Sequence, residues 1–159
     1  MADALNPTKA NLLAIKKSLE FSQNGYDLLD RKRNILVRET AAFAGVAQTL
    51  EQEMAMAFAK AYRALRLANL TLGNTEDFAK AVPIDTSLTF RSKSVMGVEV
   101  PLIALTGTQG ENYYGFAATN SYLDEAFFEF QKAKHLAVQL AQAKNSLYRL
   151  QTASLKTGK

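Results

Sequence analysis

The sequence predicts a mainly α fold: a long antiparallel two-helix coiled coil with a short β-hairpin inserted between the helices. Three observations carry this expectation. One heptad-spaced apolar seam runs through residues 6–72, a second through residues 120–157, and between them the apolar spacing drops to two. The chain of 159 residues is read as a single elongated domain, 1–159, with residues 73–119 as a connector that holds the hairpin at about 86–104.

The first helix is expected to begin at Asn6, whose side-chain oxygen can cap the first turn, with Pro7 at the first helical position, where its missing N–H is harmless. Leu12, Ile15, Leu19, Tyr26, Leu29, Leu36, Phe43, Ala47, Leu50, Met54, Ala57 and Ala61 follow on steps of three and four, interrupted by Ser22, Arg33 and Thr40. A helix of this extent is about 100 Å long and must bury its stripe against another helix, because propensity alone leaves an isolated helix marginal in water. Lys16 with Glu20 and Asp27 with Arg31 are spaced for i,i+4 support. Gly25 and Gly45 each weaken the helix by about 1 kcal/mol relative to alanine, which marks each as a bend or a close-packing point, yet neither has a proline or turn cluster beside it. The helix is therefore kept continuous and is expected to stop at Gly73-Asn74, glycine taking a left-handed conformation.

Thr75 opens a short helical turn that must end before Pro83. From Ile84 to Leu105 the alternation predicts two strands, with the turn either between Arg91 and Ser94 or at Met96-Gly97, and Pro101 confined to an edge or a strand end. Thr106 to Gly115 reads as loop. Asn120 or Ser121 then caps the second long helix, whose seam is Ala126, Phe130, Ala133, Leu136, Leu140, Ala143, Leu147 and Leu150. With residue 72 facing residue 120, the chain's end reaches only about residue 33, and about 39 Å of the first helix lacks an intrachain partner. Three explanations stand open: a second helix that is truncated, an overhang docked into another protein or a second copy, or a first helix folded back at Gly45.

Composition narrows the function classes. No apolar run reaches the roughly 18–20 residues of a membrane span, and the start has no basic region followed by an apolar core, so no membrane insertion and no export are expected. Cysteine is absent, which excludes disulfides, thiolate metal ligands and cysteine nucleophiles, and fits a cytoplasmic setting. The net charge of +4 is mild and interspersed, and the densest basic cluster, Arg31-Lys32-Arg33, lies within the first helix, as a solvated or protein-contacting face.

A search for chemistry finds little. His135 is the sole histidine, so no metal site can be completed around it. Thr106-Gly107-Thr108-Gln109-Gly110 lacks the Gly-Lys-Ser/Thr ending of a phosphate loop. Asp124, Glu125 and Glu129 are explained by the positive end of a helix dipole. Tyr113, Tyr114, Phe116, Phe127, Phe128 and Phe130 have no interleaved basic residues for base stacking and are assigned to packing around the hairpin and the start of the second helix. No catalytic residue, no bound metal and no cofactor are expected.

Two motifs carry a family resemblance. Asn6-Pro7-Thr8-Lys9-Ala10-Asn11-Leu12-Leu13-Ala14-Ile15-Lys16-Lys17-Ser18-Leu19, continued by Gly25-Tyr26-Asp27-Leu28-Leu29-Asp30-Arg31-Lys32-Arg33 and Ile35-Leu36-Val37-Arg38-Glu39, resembles the N-terminal signature of the D subunit of V-type and archaeal-type ATPases and ATP synthases. Ser94-Val95-Met96-Gly97-Val98-Glu99-Val100-Pro101 is similar to that family's Met-Gly-Val-x-Val-Pro segment. The family continues past a Lys-Thr-x-Lys/Arg element into more helix, whereas this sequence stops at Lys156-Thr157-Gly158-Lys159, so a truncated second helix is the preferred expectation.

The resemblance implies a non-catalytic central stalk, a rotor shaft that couples ATP hydrolysis or synthesis to ion translocation such as proton transport. Implied partners are the catalytic and non-catalytic subunits of a hexameric ring, a small companion central-stalk subunit, and a socket subunit above the membrane ion-carrying ring, with a cytoplasmic location peripheral to the membrane. The overhanging end is expected inside the ring, where charge suggests Lys16, Lys17, Arg31, Arg33 and Arg38 as contacts with acidic loops. The hairpin end faces the membrane side, with Val95, Met96, Gly97, Val98 and Val100 as stalk contacts. Rival readings are a generic coiled-coil adaptor or scaffold, and a basic helical nucleic-acid binder.

Overall fold

The fold was described from a computed structural model, in which residues 7–107, 113–115 and 119–157 are described. Five elements follow one another: α1 (Lys9–Leu72), α2 (Glu76–Ala81), β1 (Leu88–Val95), β2 (Val98–Leu105) and α3 (Ser121–Thr157). The fold is the helix, hairpin, helix arrangement that the change in apolar period predicts.

The first helix is unbroken over 64 residues, roughly 96 Å at 1.5 Å per residue. Fold-back at Gly45 is thereby excluded. Its start differs from expectation: Thr8, in extended conformation, is the N-cap, its Oγ1 accepting from the Asn11 N–H at 3.3 Å. A threonine hydroxyl three residues before a free N–H satisfies that donor, so Pro7 stands ahead of the helix; Asn6 lies outside the described residues. At the other end Gly73 closes α1 with φ +80° and ψ −137°. This is a conformation that needs glycine, but not the left-handed helical one expected.

Helices α1 and α3 pack antiparallel. Asn120 sets the junction, because its Oδ1 caps α3 by accepting from the Leu123 N–H at 3.0 Å while its Nδ2 donates to the hydroxyl of Thr71 in the last turn of α1. Farther along, Lys144 pairs with Glu51 at 3.0 Å, and Leu150 meets Leu36. Between these points the contact is made chiefly by alanines, Ala47, Ala57, Ala61, Ala64 and Ala68 on α1 and Ala126, Ala133 and Ala143 on α3, all buried. Side chains this small permit a close approach of the two helix axes. Ser146, at 1 % exposure, fits the same contact by donating its hydroxyl to the Gln142 carbonyl of its own helix at 2.8 Å.

The hairpin turn is at Met96-Gly97, with φ +51° and +80°. Two consecutive positive φ values mark the two-residue turn whose twist matches that of antiparallel strands. The register runs from Val95 opposite Val98 to Leu88 opposite Leu105. Val95, Val98 and Val100 pack with Leu36, Phe43, Leu150 and Ala153, so the strand ends flanking the turn are part of the core.

Candidate interaction surfaces

Three surfaces follow from this architecture: the end of α1 that α3 does not reach, the hairpin, and the base where α1, α2 and α3 converge. Leu36 is the first fully buried residue of the α1 seam; Leu12, Ile15, Leu19, Tyr26 and Leu29 before it are all exposed. The exposed apolar residues are not confined to the seam. Leu13, Phe21 and Leu28 project from other sides of the same helix, Phe21 and Leu28 at 80 % and 69 % exposure. A seven-residue repeat search selects one stripe and passes over them.

All five proposed ring-contact residues, Lys16, Lys17, Arg31, Arg33 and Arg38, are exposed. At about 100° per residue, Lys16, Lys17, Arg31 and Arg38 fall within about a third of the helix circumference, whereas Arg33 lies among the seam residues on the other side. The ion pairs expected at Lys16–Glu20 and Asp27–Arg31 do not occur among the described residues. Such pairs on an exposed helix gain little against the entropy of two long side chains. Gly25 and Gly45 border open space, so neither is a close-packing point.

In the hairpin the proposed contact residues divide. Val95, Val98 and Val100 are turned into the core cluster, and Val100 is buried, leaving Met96 and Gly97 exposed at the tip. A reading of the motif alone treats the five as one surface; the fold uses three of them for its own packing. The hairpin is also bonded to α3 through β2: the Ile103 N–H donates to Gln142 Oε1 at 2.8 Å, and Arg149 Nη1 donates to the Glu99 carbonyl at 3.0 Å.

The base holds an open cavity of about 640 Å³, walled by Leu65, Phe78, Pro83, Tyr113, Phe127 and Phe130. The aromatics meet edge to face, Tyr114 on Phe78 and Phe127, and Tyr62 on Phe130. They join both helices and α2 rather than the hairpin; Phe116 lies outside the described residues. On the cavity rim Lys134 donates to Asp85 Oδ2 at 2.7 Å, and Ser87 donates to Asp85 Oδ1 through both its N–H and its hydroxyl. The Lys134 hydrogen bond, then those from Ser87, hold the Asp85 carboxyl well below the usual carboxylate range. Burial, reinforced by the hydrogen bond it donates to Asp124, pushes the Tyr114 hydroxyl up to about 12. Gly107 closes this corner, where a Cβ would come within 2.8 Å of Ser87 Oγ. Sequence patterning gave no signal for Asp85, Lys134, Gln142 or Arg149.

These features define an elongated helical-hairpin protein with a long exposed helix end. Among the described residues no group of three or more histidines, cysteines or carboxylates is placed to hold a metal, and no helix is long and apolar enough to cross a membrane. Residues 11–159 match the family of the ATP synthase D subunit. The V-type ATP synthase D subunit of Thermotoga neapolitana is 39 % identical over 155 residues, covering 96 % of this chain and 76 % of the relative. The A-type ATP synthase D subunit of Pyrococcus furiosus is 32 % identical over 151 residues, covering 92 % and 71 %, and that of a Desulfurococcus species is 30 % identical over 157 residues, covering 94 % and 73 %. The chain belongs to the ATP synthase D subunit family, and so to the subunits of a membrane-associated complex.

Proposed function

We propose that this chain is the non-catalytic central shaft of a rotary V-type ATP synthase or ATPase, acting as one elongated unit that couples nucleotide turnover in a surrounding ring to ion translocation. The observation that carries this reading is the end of α1, where Leu12, Leu13, Ile15, Leu19, Phe21, Tyr26, Leu28 and Leu29 expose apolar surface on more than one side. Apolar side chains on more than one side of a helix reach past the single stripe that one partner helix covers. One partner helix covers one side; a ring of subunits covers all of them. The paired portion, by contrast, is a close-packed rod suited to carrying torque.

On this reading the catalytic and non-catalytic ring subunits enclose residues 9–35, with Lys16, Lys17, Arg31 and Arg38 facing acidic ring loops and Arg33 set apart on the seam side. The companion stalk subunit and the socket subunit above the ion-carrying ring lie toward the hairpin and the base, where Met96 and Gly97 are available to them. The shaft works in the cytoplasm without cofactor, nucleic acid or inserted membrane segment.

The test is rotation. With the ring immobilised and a bead attached at the hairpin turn, ATP should drive unidirectional rotation by complexes holding one copy of this chain. Hydrolysis at full rate with a stationary bead, or more than one copy per ring, overturns the reading. Phe21→Asp with Leu28→Asp should abolish ring assembly while leaving the paired portion folded by circular dichroism. Glutamate at Lys16, Lys17, Arg31 and Arg38 should weaken assembly, and unchanged assembly and activity would remove charge from the account.

A further inference from the structure

The two edges of the hairpin are treated differently by the fold. In a hairpin with a two-residue turn, the pair flanking the turn exchanges both backbone bonds, and the pattern then alternates along the ladder. With Val95 opposite Val98, the inward-bonding residues are Val95, Lys93, Arg91 and Thr89 on β1 and Val98, Val100, Leu102 and Ala104 on β2. The outward positions of β2 are therefore Glu99, Pro101, Ile103 and, at the strand end, Leu105. On this edge the Glu99 carbonyl accepts from Arg149, the Ile103 N–H donates to Gln142 and Pro101 has no N–H, and α3 lies against β2.

The outward groups of β1 belong to Leu88, Phe90, Ser92 and Ser94, and none of these N–H or carbonyl groups has a partner among the described residues. Among the described residues the only element beside β1 is β2, and Phe90 is 70 % exposed on this edge. The open edge is about 26 Å long at 3.3 Å per residue. An unpaired edge of this length binds another strand unless something prevents it. Charge selects which strand. Arg91 and Lys93 stand on one face of β1, Leu88 and Phe90 on the other, and β1 carries no acidic residue. A second copy of β1 would bring like charges together, whereas an acidic strand would pair with them.

We propose that the free edge of β1 is a docking surface for an extended acidic segment of another polypeptide, which joins the hairpin as a third strand. Its residues alternate, acids lying beside Arg91 and Lys93 and apolar side chains beside Leu88 and Phe90. Main-chain bonds to Phe90, Ser92 and Ser94 give the affinity and this alternation gives the selectivity. The inference stands on the hairpin alone and does not require that the chain rotate.

The experiment uses the full chain and the peptide acetyl-(Val-Glu)4-amide, read by amide resonances. Binding should shift and protect the amides of residues 88, 90, 92 and 94 while leaving 89, 91 and 93 little changed. Ser92→Pro removes an outward N–H opposite Pro101 without touching the β1–β2 ladder, and Ser94→Pro does so one pair nearer the turn. Each should abolish peptide binding with the melting temperature retained. The Arg91→Glu, Lys93→Glu double variant should lose about tenfold in affinity for this peptide and gain affinity for acetyl-(Val-Lys)4-amide. In the assembled complex, the amides of 90, 92 and 94 should exchange more slowly than in the free chain. Binding without the alternating signature, unchanged exchange on assembly, or an edge blocked by dimerisation of this chain would each overturn the proposal.

Discussion

The two halves of α1 carry the same heptad repeat but use it differently. From Leu36 to Ala68 the seam is covered by α3: Leu36 and five alanines are fully buried there, with Phe43, Leu50 and Met54 half-buried among them. From Leu12 to Leu29 it is exposed and made of leucine, isoleucine and tyrosine, with further apolar residues off the seam. Small residues bury little area each, so the paired half depends on close approach, and any added atom there has nowhere to go. Large residues on a bare helix gain nothing until something encloses them. Periodicity therefore identifies a seam, while burial distinguishes the half of it that α3 covers from the half left exposed.

The sharpest way to break this comparison is to make one change in both halves. Leu36→Ala, at a site with 0 % exposure, should lower stability by about 2–5 kcal/mol, whereas Leu29→Ala, one heptad earlier and 55 % exposed, should change it by less than about 0.5 kcal/mol in urea unfolding of the isolated chain. Equal effects would mean that the bare half is folded against something in solution. Next in size, Ala61→Leu should destabilise by about 1–3 kcal/mol through overpacking in the alanine contact. Gly25→Ala and Gly45→Ala, both facing open space, should each raise stability by up to about 1 kcal/mol through helix propensity. A loss at either would reveal a need for glycine beyond its space.

The smallest effect expected is at the base. Asp85 has a folded-state pKa below its ordinary value of 3.8, so its contribution is present above that value and is lost as pH falls below it. Asp85→Asn should be less stable than the parent at neutral pH. The gap should narrow below about pH 4, and a constant gap down to about pH 2 would deny the Lys134 pairing its role.

Much of the fold was legible because it is written in local spacing. Both long helices follow from steps of three and four, the strands from steps of two, and the arrest of α2 from Pro83. The turn was legible only as two alternatives, since alternation over Ser92 and Ser94 is too polar to fix register, and the positive φ of Met96 has no sequence signature. The cap moved from Asn6 to Thr8 because both residues suit the position. The contacts that shape the surfaces were illegible for another reason. Gln142 with Ile103, Arg149 with Glu99, and Lys134 with Asp85 join positions 39, 50 and 49 residues apart. Such pairs depend on the relative placement of hairpin and helix, which no single segment encodes.

Asn120 binds the last turn of α1 with one end of its amide and the first turn of α3 with the other. It works as a clasp between the two helices at the neck of the connector that carries α2 and the hairpin. Asn120→Ala should therefore loosen the helix ends at this junction, while the Lys144–Glu51 pair and the hairpin bonds to α3 still hold the two helices in register farther along.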